Sequence, residues 1–413
     1  MKEKEYSKKG IESKENSFED EIDRIAREGA RKMLMEALEL EVSEYLERKR
    51  YERREVFKGY RNGYGKERSI AIGYGEVKIR PPRVRDIPEG SEGFRSKILT
   101  PYQRSSRGVQ MNLARLYLEG LSSGDFEPVF RAILGEKAPL SPSSIIRLKE
   151  IWEEEYRVWK ERPLSDYTYI YLWVDGIYLK AGLEREKTAL LVVLGVKEDG
   201  SKELLAIKEG YRESKESWGE VLRDLKVRGL SNPLLVIGDG ALGIWSALRE
   251  VFPEVKEQRC WNHKILNVLS KLPKRLWREA RVRIREIYNA PSRSKCMEWA
   301  EDYARSLRNR RYDEGADTLL RDFDQFITFY DFPKEHWTHI RTTNPLESIF
   351  SGVRVRTNVV KRFRKPRTGL YMVFKLIERL SMNWRPIKGK GLIPLLIQGV
   401  QFEDGELVRK KAA

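Results

Sequence analysis

YLWVDGIYLK, residues 171–180, is apolar at positions facing either side of a β-sheet, yet Asp175 stands in its middle. Continuous apolar runs of this kind belong to strands buried on both faces. A lone carboxylate there is costly unless its charge is compensated. An arginine or lysine, a hydrogen-bond network or a metal ion could do so, and Lys180 is the local basic candidate. Downstream, LLVIGDG (234–240) repeats the pattern: Asp239 ends an apolar strand between Gly238 and Gly240. Small neighbours permit close approach to the carboxylate, and a strand end opening into a helix is a usual ligand position. Two aspartates on neighbouring strands of one sheet would repel each other unless a cation lay between them. Hard oxygen ligands of this kind suit Mg²⁺ or Mn²⁺.

Working outward, strands are predicted at 167–180, 188–198 and 202–210, then a helix at 214–229 and a strand at 232–240. A helix at 241–252 and a short strand near 255–260 follow. Three consecutive strands read as a meander, and the alternation after them indicates a mixed α/β sheet with helices against it. This core occupies 161–263, is interrupted by a charged, all-helical stretch at 264–338, and resumes over 339–390 before a C-terminal tail, 391–413.

Ahead of it, residues 1–16 are polar and read as a disordered tail. Region 17–100 opens with an amphipathic helix whose stripe is Ile22, Ile25, Ala26, Met33, Ala37 and Leu40, with Gly29 on the same face. It continues into a basic β-rich segment in which Arg48, Lys49, Arg50, Arg53, Arg54 and Arg61 interleave with Tyr60 and Tyr64. Basic residues among aromatics suit phosphate contact and stacking. Region 101–160 is helical. Ser141-Pro142 is a helix-start signature, and Arg147 follows early on a helix that would be the second of a helix-turn-helix.

Charge agrees. The chain has 413 residues, 80 Lys+Arg against 63 Asp+Glu, and a formal net charge of +17. Such an excess favours polyanions, nucleic acid first. The apolar run GLIPLLIQGV is too short to span a bilayer and contains Pro394, so no membrane partner is expected. No signal peptide is visible, and two cysteines give no disulfide framework, so a cytoplasmic, nucleoid-associated location is expected.

RTTNPLES (341–348) could supply a third acid. Asn344 as N-cap, Pro345 at N1 and Glu347 at N3 equally satisfy a helix start, with Glu347 as a capping residue. In RCWNHK, Cys260 and His263 have the spacing of half a zinc site, which His336 and His339 could complete. Packing by Trp261 and hydrogen bonding near the centre is the favoured reading over zinc.

WVDGIYLK, VIGDGALGIWSAL, RCWNHK and RTTNPLES in combination resemble the transposases of Mutator-type insertion sequences, over most of the chain from near residue 20 to near 385. The resemblance implies a ribonuclease-H-like core and a DDE catalytic triad of Asp175, Asp239 and Glu347. These would hold two Mg²⁺ or Mn²⁺ ions about 3.5–4 Å apart in such sites. It also places Cys260 and His263 near the catalytic centre without making them an established zinc pair. The implied activity is cleavage at transposon ends and strand transfer of 3′-OH ends into target DNA. Double-stranded DNA would be the partner, and a homodimer or higher oligomer would join two ends. Arg341, Asn344 and the basic run Arg354, Arg356, Lys361, Arg362, Arg364, Lys365 and Arg367 would then lie along the DNA. The competing readings are an inactive or domesticated DNA-binding protein and a ribonuclease-H-like nuclease or resolvase.

Overall fold

A computed structural model describes residues 21–119, 142–180, 187–210, 213–240, 242–360 and 366–408, apart from 53 and 74, together with 129 and 363. Two compact units make up the chain, Met1–Leu148 and Lys149–Ala413.

In the first unit, helix α1 (Glu21–Tyr45) precedes four short strands. Strand β1 (Tyr60–Tyr64) pairs antiparallel with β4 (Pro82–Arg85), and β2 (Arg68–Ile72) with β3 (Gly75–Ile79). Leu38 of α1 packs with Ile70, Val77, Ile79 and Leu99. The buried face of α1 is therefore the Leu38 and Val42 face, not the predicted stripe, since Ile22, Ile25, Met33 and Leu40 are exposed. Polar anchors select that face. Glu39 and Ser43 hold the Arg61 guanidinium at 3.0 and 2.6 Å, and Glu41 accepts from Ser96 Oγ at 2.5 Å and from the Lys97 and Ile98 amides. Helix α2 spans Arg107–Glu119; α3 (Pro142–Glu161) opens at the proline of the predicted start and runs past Leu148 into the second unit. The turn of the expected helix-turn-helix lies outside the described residues.

The second unit is built on a five-stranded mixed sheet. Strands β5 (Tyr169–Lys180), β6 (Lys187–Lys197) and β7 (Lys202–Gly210) form the antiparallel meander, and β8 (Leu235–Gly238) and β9 (Lys256–Arg259) add in parallel, in the order β7-β6-β5-β8-β9. Helices α4 (Lys215–Val227) and α5 (Leu242–Val251) cover one face, where Leu172 and Val174 meet Trp218, Leu222, Trp245 and Leu248. The period of two sends Tyr171 and Trp173 to the other face. There the Tyr171 hydroxyl is 2.8 Å from His336 Nδ1, and Trp173 Nε1 donates to the His339 carbonyl at 3.1 Å. A register shift between Tyr169 and Tyr171 lets Tyr169 share the first face with Leu172.

The interval between β9 and the last acid is helical: α6 (Trp261–Ser270), α7 (Trp277–Tyr288), α8 (Arg293–Asn309), α9 (Asp313–Leu320) and α10 (Trp337–Ile340), with short 3₁₀ turns. It begins at Trp261, earlier than predicted, because Cys260 already ends the strand segment as the residue before α6. Helices α11 (Asn344–Val360) and α12 (Pro366–Ser381) return the chain to the sheet. The C-terminal segment carries α13 (Ile393–Ile397) and a small hairpin that packs back, Gly405 N donating to the Tyr330 carbonyl at 3.1 Å. No helix among the described residues is long and apolar enough to cross a membrane.

Candidate active site

The parallel pairing of β5 with β8 sets Tyr171 beside Leu235, Leu172 beside Val236 and Trp173 beside Ile237. Two residues further along each chain, the same register carries Asp175, in the middle of β5, alongside Asp239, which follows the last residue of β8. Of the two glycines flanking Asp239, Gly238 is needed for packing, since a Cβ there would meet Val174 Cγ2 at 2.9 Å, whereas Gly240 faces open space. The room for a ligand lies on the Gly240 side.

Asp175, Asp239 and Glu347 line one cleft of about 630 Å³, together with Gly176, Tyr178, Glu213, Asn262, His263, Ile265, Leu266, Arg281, Arg285, Phe350 and Arg354. Burial, reinforced by the charges of Asp239 and Glu213, pushes Asp175 up to about 7 in spite of the Gly176 amide that donates to Oδ1 at 2.7 Å. Such an assembly of half-buried carboxylates is unfavourable on its own and fits a divalent cation. Lys180 does not supply the compensation: it is exposed at the far end of β5 and forms no ion pair with Asp175 among the described residues.

Glu213 is a fourth carboxylate, absent from the sequence-based candidates. Burial raises its pKa, and the Tyr178 hydroxyl donates to Oε1 at 2.8 Å. Two glycines close upon this segment. A Cβ on Gly176 would stand 2.5 Å from Glu213 Oε1, and one on Gly243 would strike the 213–215 backbone. The glycines of WVDG and GALG were thus the available signal for it.

Glu347 is oriented by side chains. Thr343 Oγ1 lies 3.1 Å from its Oε1, and Asn262 Nδ2 lies 3.3–3.4 Å from both oxygens and donates to Asn344 Oδ1 at 2.6 Å. The helix start differs from the sequence-based one. Thr343, not Asn344, is the N-cap residue, its carbonyl accepting from the Glu347 amide at 2.9 Å. The Glu347 carboxylate consequently meets side-chain donors and the cleft.

His263, on the first turn of α6, lines the same cleft, Cys260 is buried just before that helix, and ligand atoms of Cys260, His263 and Glu347 all lie within 4.8 Å of one another. The Thr343 amide and Oγ1 both approach Cys260 Sγ at 3.3 Å. The adjacent Cys260 sulfur, then the charges of Asp175 and Asp239, outweigh burial and hold His263 up at about 9. His336 and His339 do not join them. His336 bonds Tyr171 and the Gly389 carbonyl, and His339 Nε2 accepts from the Lys388 amide at 3.0 Å.

The basic candidates divide. Arg354 lines the cleft, whereas Arg356 is only 4% exposed and does not present its charge to solvent. Arg341 serves packing: its guanidinium lies 4.6 Å from the Tyr288 ring centroid and donates to the Tyr288 carbonyl at 3.2 Å. In the first unit, Arg61 is neutralised by Glu39 and Arg54 sits 3.3 Å from Glu52. Arg48 bonds the Gly59 carbonyl beneath the exposed Tyr60, Arg50 lies over Tyr51, Lys49 stays exposed, and the Tyr64 hydroxyl is engaged by Glu39. Arg147 lies on α3. Arg53, Lys361, Arg362, Arg364 and Lys365 lie outside the described residues.

A family model described as "Transposase, Mutator family" matches residues 1–386. The chain is 48% identical over 298 residues to the transposase for insertion sequence element IS6120 of Mycolicibacterium smegmatis, covering 72% of this chain and 92% of that protein. It is 39% identical over 275 residues to the transposase for element IST2 of Acidithiobacillus ferrooxidans, covering 66% and 93%. With the transposase for element IS406 of Burkholderia multivorans it shares 31% identity over 362 residues, 87% of this chain and 91% of that one.

Proposed function

This chain belongs to the Mutator family of transposases, and we propose that it cuts DNA at transposon ends and joins the 3′-OH ends to target DNA at the cleft of Asp175, Asp239 and Glu347. The core is read as ribonuclease-H-like, with α6 to α10 as the helical insertion. The observation that carries the proposal is the register of β5 and β8, which delivers two aspartates to the cleft that Glu347 lines from α11. Divalent cations held by these three carboxylates would stabilise charge at the phosphorus and lower the pKa of the attacking hydroxyl.

The chain's own residues do the rest. Asn262 and Thr343 fix the Glu347 carboxylate, and the open side of Gly240 admits a phosphate beside Asp239. In cleavage, a water oxygen attacks phosphorus, the bond to the 3′ oxygen breaks, and that oxygen takes a proton. In strand transfer the freed 3′-OH attacks a target phosphate and displaces its 3′ oxygen. His263 lines the cleft beside the carboxylates, whose charges favour its protonated form. Cys260 Sγ is already met by two Thr343 groups, which favours the oxygen set over a Cys260–His263 metal site. A homodimer or higher oligomer would bring one such cleft to each of two DNA ends.

Asp175→Asn and Asp239→Asn preserve shape and remove one anionic oxygen each. Both variants should bind duplex DNA as the parent does and lose Mg²⁺-dependent nicking. Normal nicking by either would remove that residue from the site, and the inactive DNA-binding reading gains if the parent itself never nicks.

A further inference from the structure

The helical insertion contributes to the cleft two arginines that belong to none of the sequence motifs. Arg281 and Arg285 are one turn apart on α7, so they share a face, and both are exposed while Ala280, Ile284 and Ile287 of the same helix are buried. The helix is fixed from below, Trp277 Nε1 donating to the Leu272 carbonyl and Arg341 gripping the Tyr288 carbonyl. Across the cleft, Arg354 of α11 lines the same walls.

Neighbouring arginines of the insertion find carboxylates: Arg283 reaches Glu286 at 3.1 Å, Arg305 reaches Asp302 at 3.2 Å and Arg310 reaches Glu279 at 2.6 Å. Arg281, Arg285 and Arg354 form no ion pair among the described residues, although Asp175, Glu213, Asp239 and Glu347 line the same cleft. Balancing those acids directly is therefore not their role. Arg281 lies 5.9 Å from the centroid of Trp277 and Arg354 5.9 Å from that of Phe350. A ring beneath a guanidinium steadies its plane and leaves the N–H edge free. That edge matches a phosphate oxygen pair.

We infer that Arg281 and Arg285, opposite Arg354, hold the phosphodiester backbone of the DNA strand that enters the cleft, so that the helical insertion is part of the substrate-binding surface. The inference rests on the reading of the cleft as the place where DNA is cut. Positive charge is needed there because the floor of carboxylates would otherwise repel the strand.

The test uses the full-length protein and a nicked duplex of arbitrary sequence, in EDTA so that no cleavage intervenes. Arg281→Gln/Arg285→Gln should retain the parent melting temperature and lower the slope of log affinity against log salt by about two, one for each phosphate that is no longer neutralised. Arg283→Gln/Arg305→Gln, on the same insertion but paired, should leave the slope unchanged. An unchanged slope in the Arg281/Arg285 variant, or an equal fall in both variants, overturns the inference. Because binding is read without chemistry, active Asp175→Asn with a reduced arginine-variant slope would fault the catalytic reading alone. Dead Asp175→Asn with an unaltered slope would fault the arginine assignment alone.

Discussion

The site has a strand-borne half and a helix-borne half, and they are positioned by different physics. Asp175 and Asp239 are delivered by backbone register: once Tyr171–Trp173 pair with Leu235–Ile237, nothing else is needed to make them neighbours. Glu347 depends on polar side chains from two further elements, Asn262 on α6 and Thr343 before α11. A strand residue can therefore be neutralised with the scaffold intact, while the helix-borne acid can be misplaced by changes at residues that never meet substrate. In the first half activity should be lost by neutralising the acids themselves, and in the second also by changing the residues that position the acid.

The largest effect expected from the helix-borne half is at Glu347 itself. Glu347→Gln keeps an oxygen for the Thr343 hydroxyl and loses the anionic ligand, so the melting temperature should hold while Mg²⁺-dependent nicking falls on the order of 10³-fold. Retained nicking would reduce Glu347 to a scaffold residue and merge the two halves. A smaller effect is expected one step out. Asn262→Ala removes a donor to both Glu347 oxygens and should lower nicking by about 10- to 100-fold, as for residues that orient a metal ligand. DNA affinity measured in EDTA should not move. A change in affinity without a change in rate would place Asn262 on the DNA instead.

The smallest effect is thermodynamic and belongs to the strand-borne half. Asp175 is held up at about 7 by burial, against 3.8 for an ordinary aspartate. The folded state then keeps a proton that the unfolded state releases, so stability present below about pH 4 is lost as pH rises through 7. His263, held at about 9 against 6.5, adds a loss of the same sign between those values. Without metal, Asp175→Asn should raise the melting temperature at pH 8 by on the order of 2–4 °C and leave it unchanged at pH 4. Mg²⁺ should raise the parent's melting temperature more at pH 8 than at pH 5, and the variant's by less. A shift of equal size at both pH values would detach it from Asp175.

The same division explains what could be read from the chain. The strand around Asp175 lies close to its predicted span, and the one before Asp239 falls within its predicted span but is shorter, Leu235–Gly238, because long apolar runs leave a buried sheet few alternatives. The two aspartates are conspicuous there for the same reason. Glu213 was not legible, since it sits in a polar turn and its signal was the absence of side chains at Gly176 and Gly243. Arg281 and Arg285 were hidden among similar arginines, because ion pairing with Glu286, Asp302 or Glu279 is a matter of three-dimensional placement. Arg354 and Arg356 show the limit within a single motif: two residues apart on a helix, one faces the cleft and the other is buried. On α1 the apolar stripe suggested one face, and the bonds of Glu39, Glu41 and Ser43 selected another.

The central claim is that the two halves form one cation site. Crystals of the full-length protein soaked in Mn²⁺ and measured at the manganese edge test it directly. Anomalous density is expected within bonding distance of carboxylate oxygens of Asp175, Asp239 and Glu347. Density confined to Cys260 and His263, or its absence from the aspartates at millimolar Mn²⁺, would contradict it.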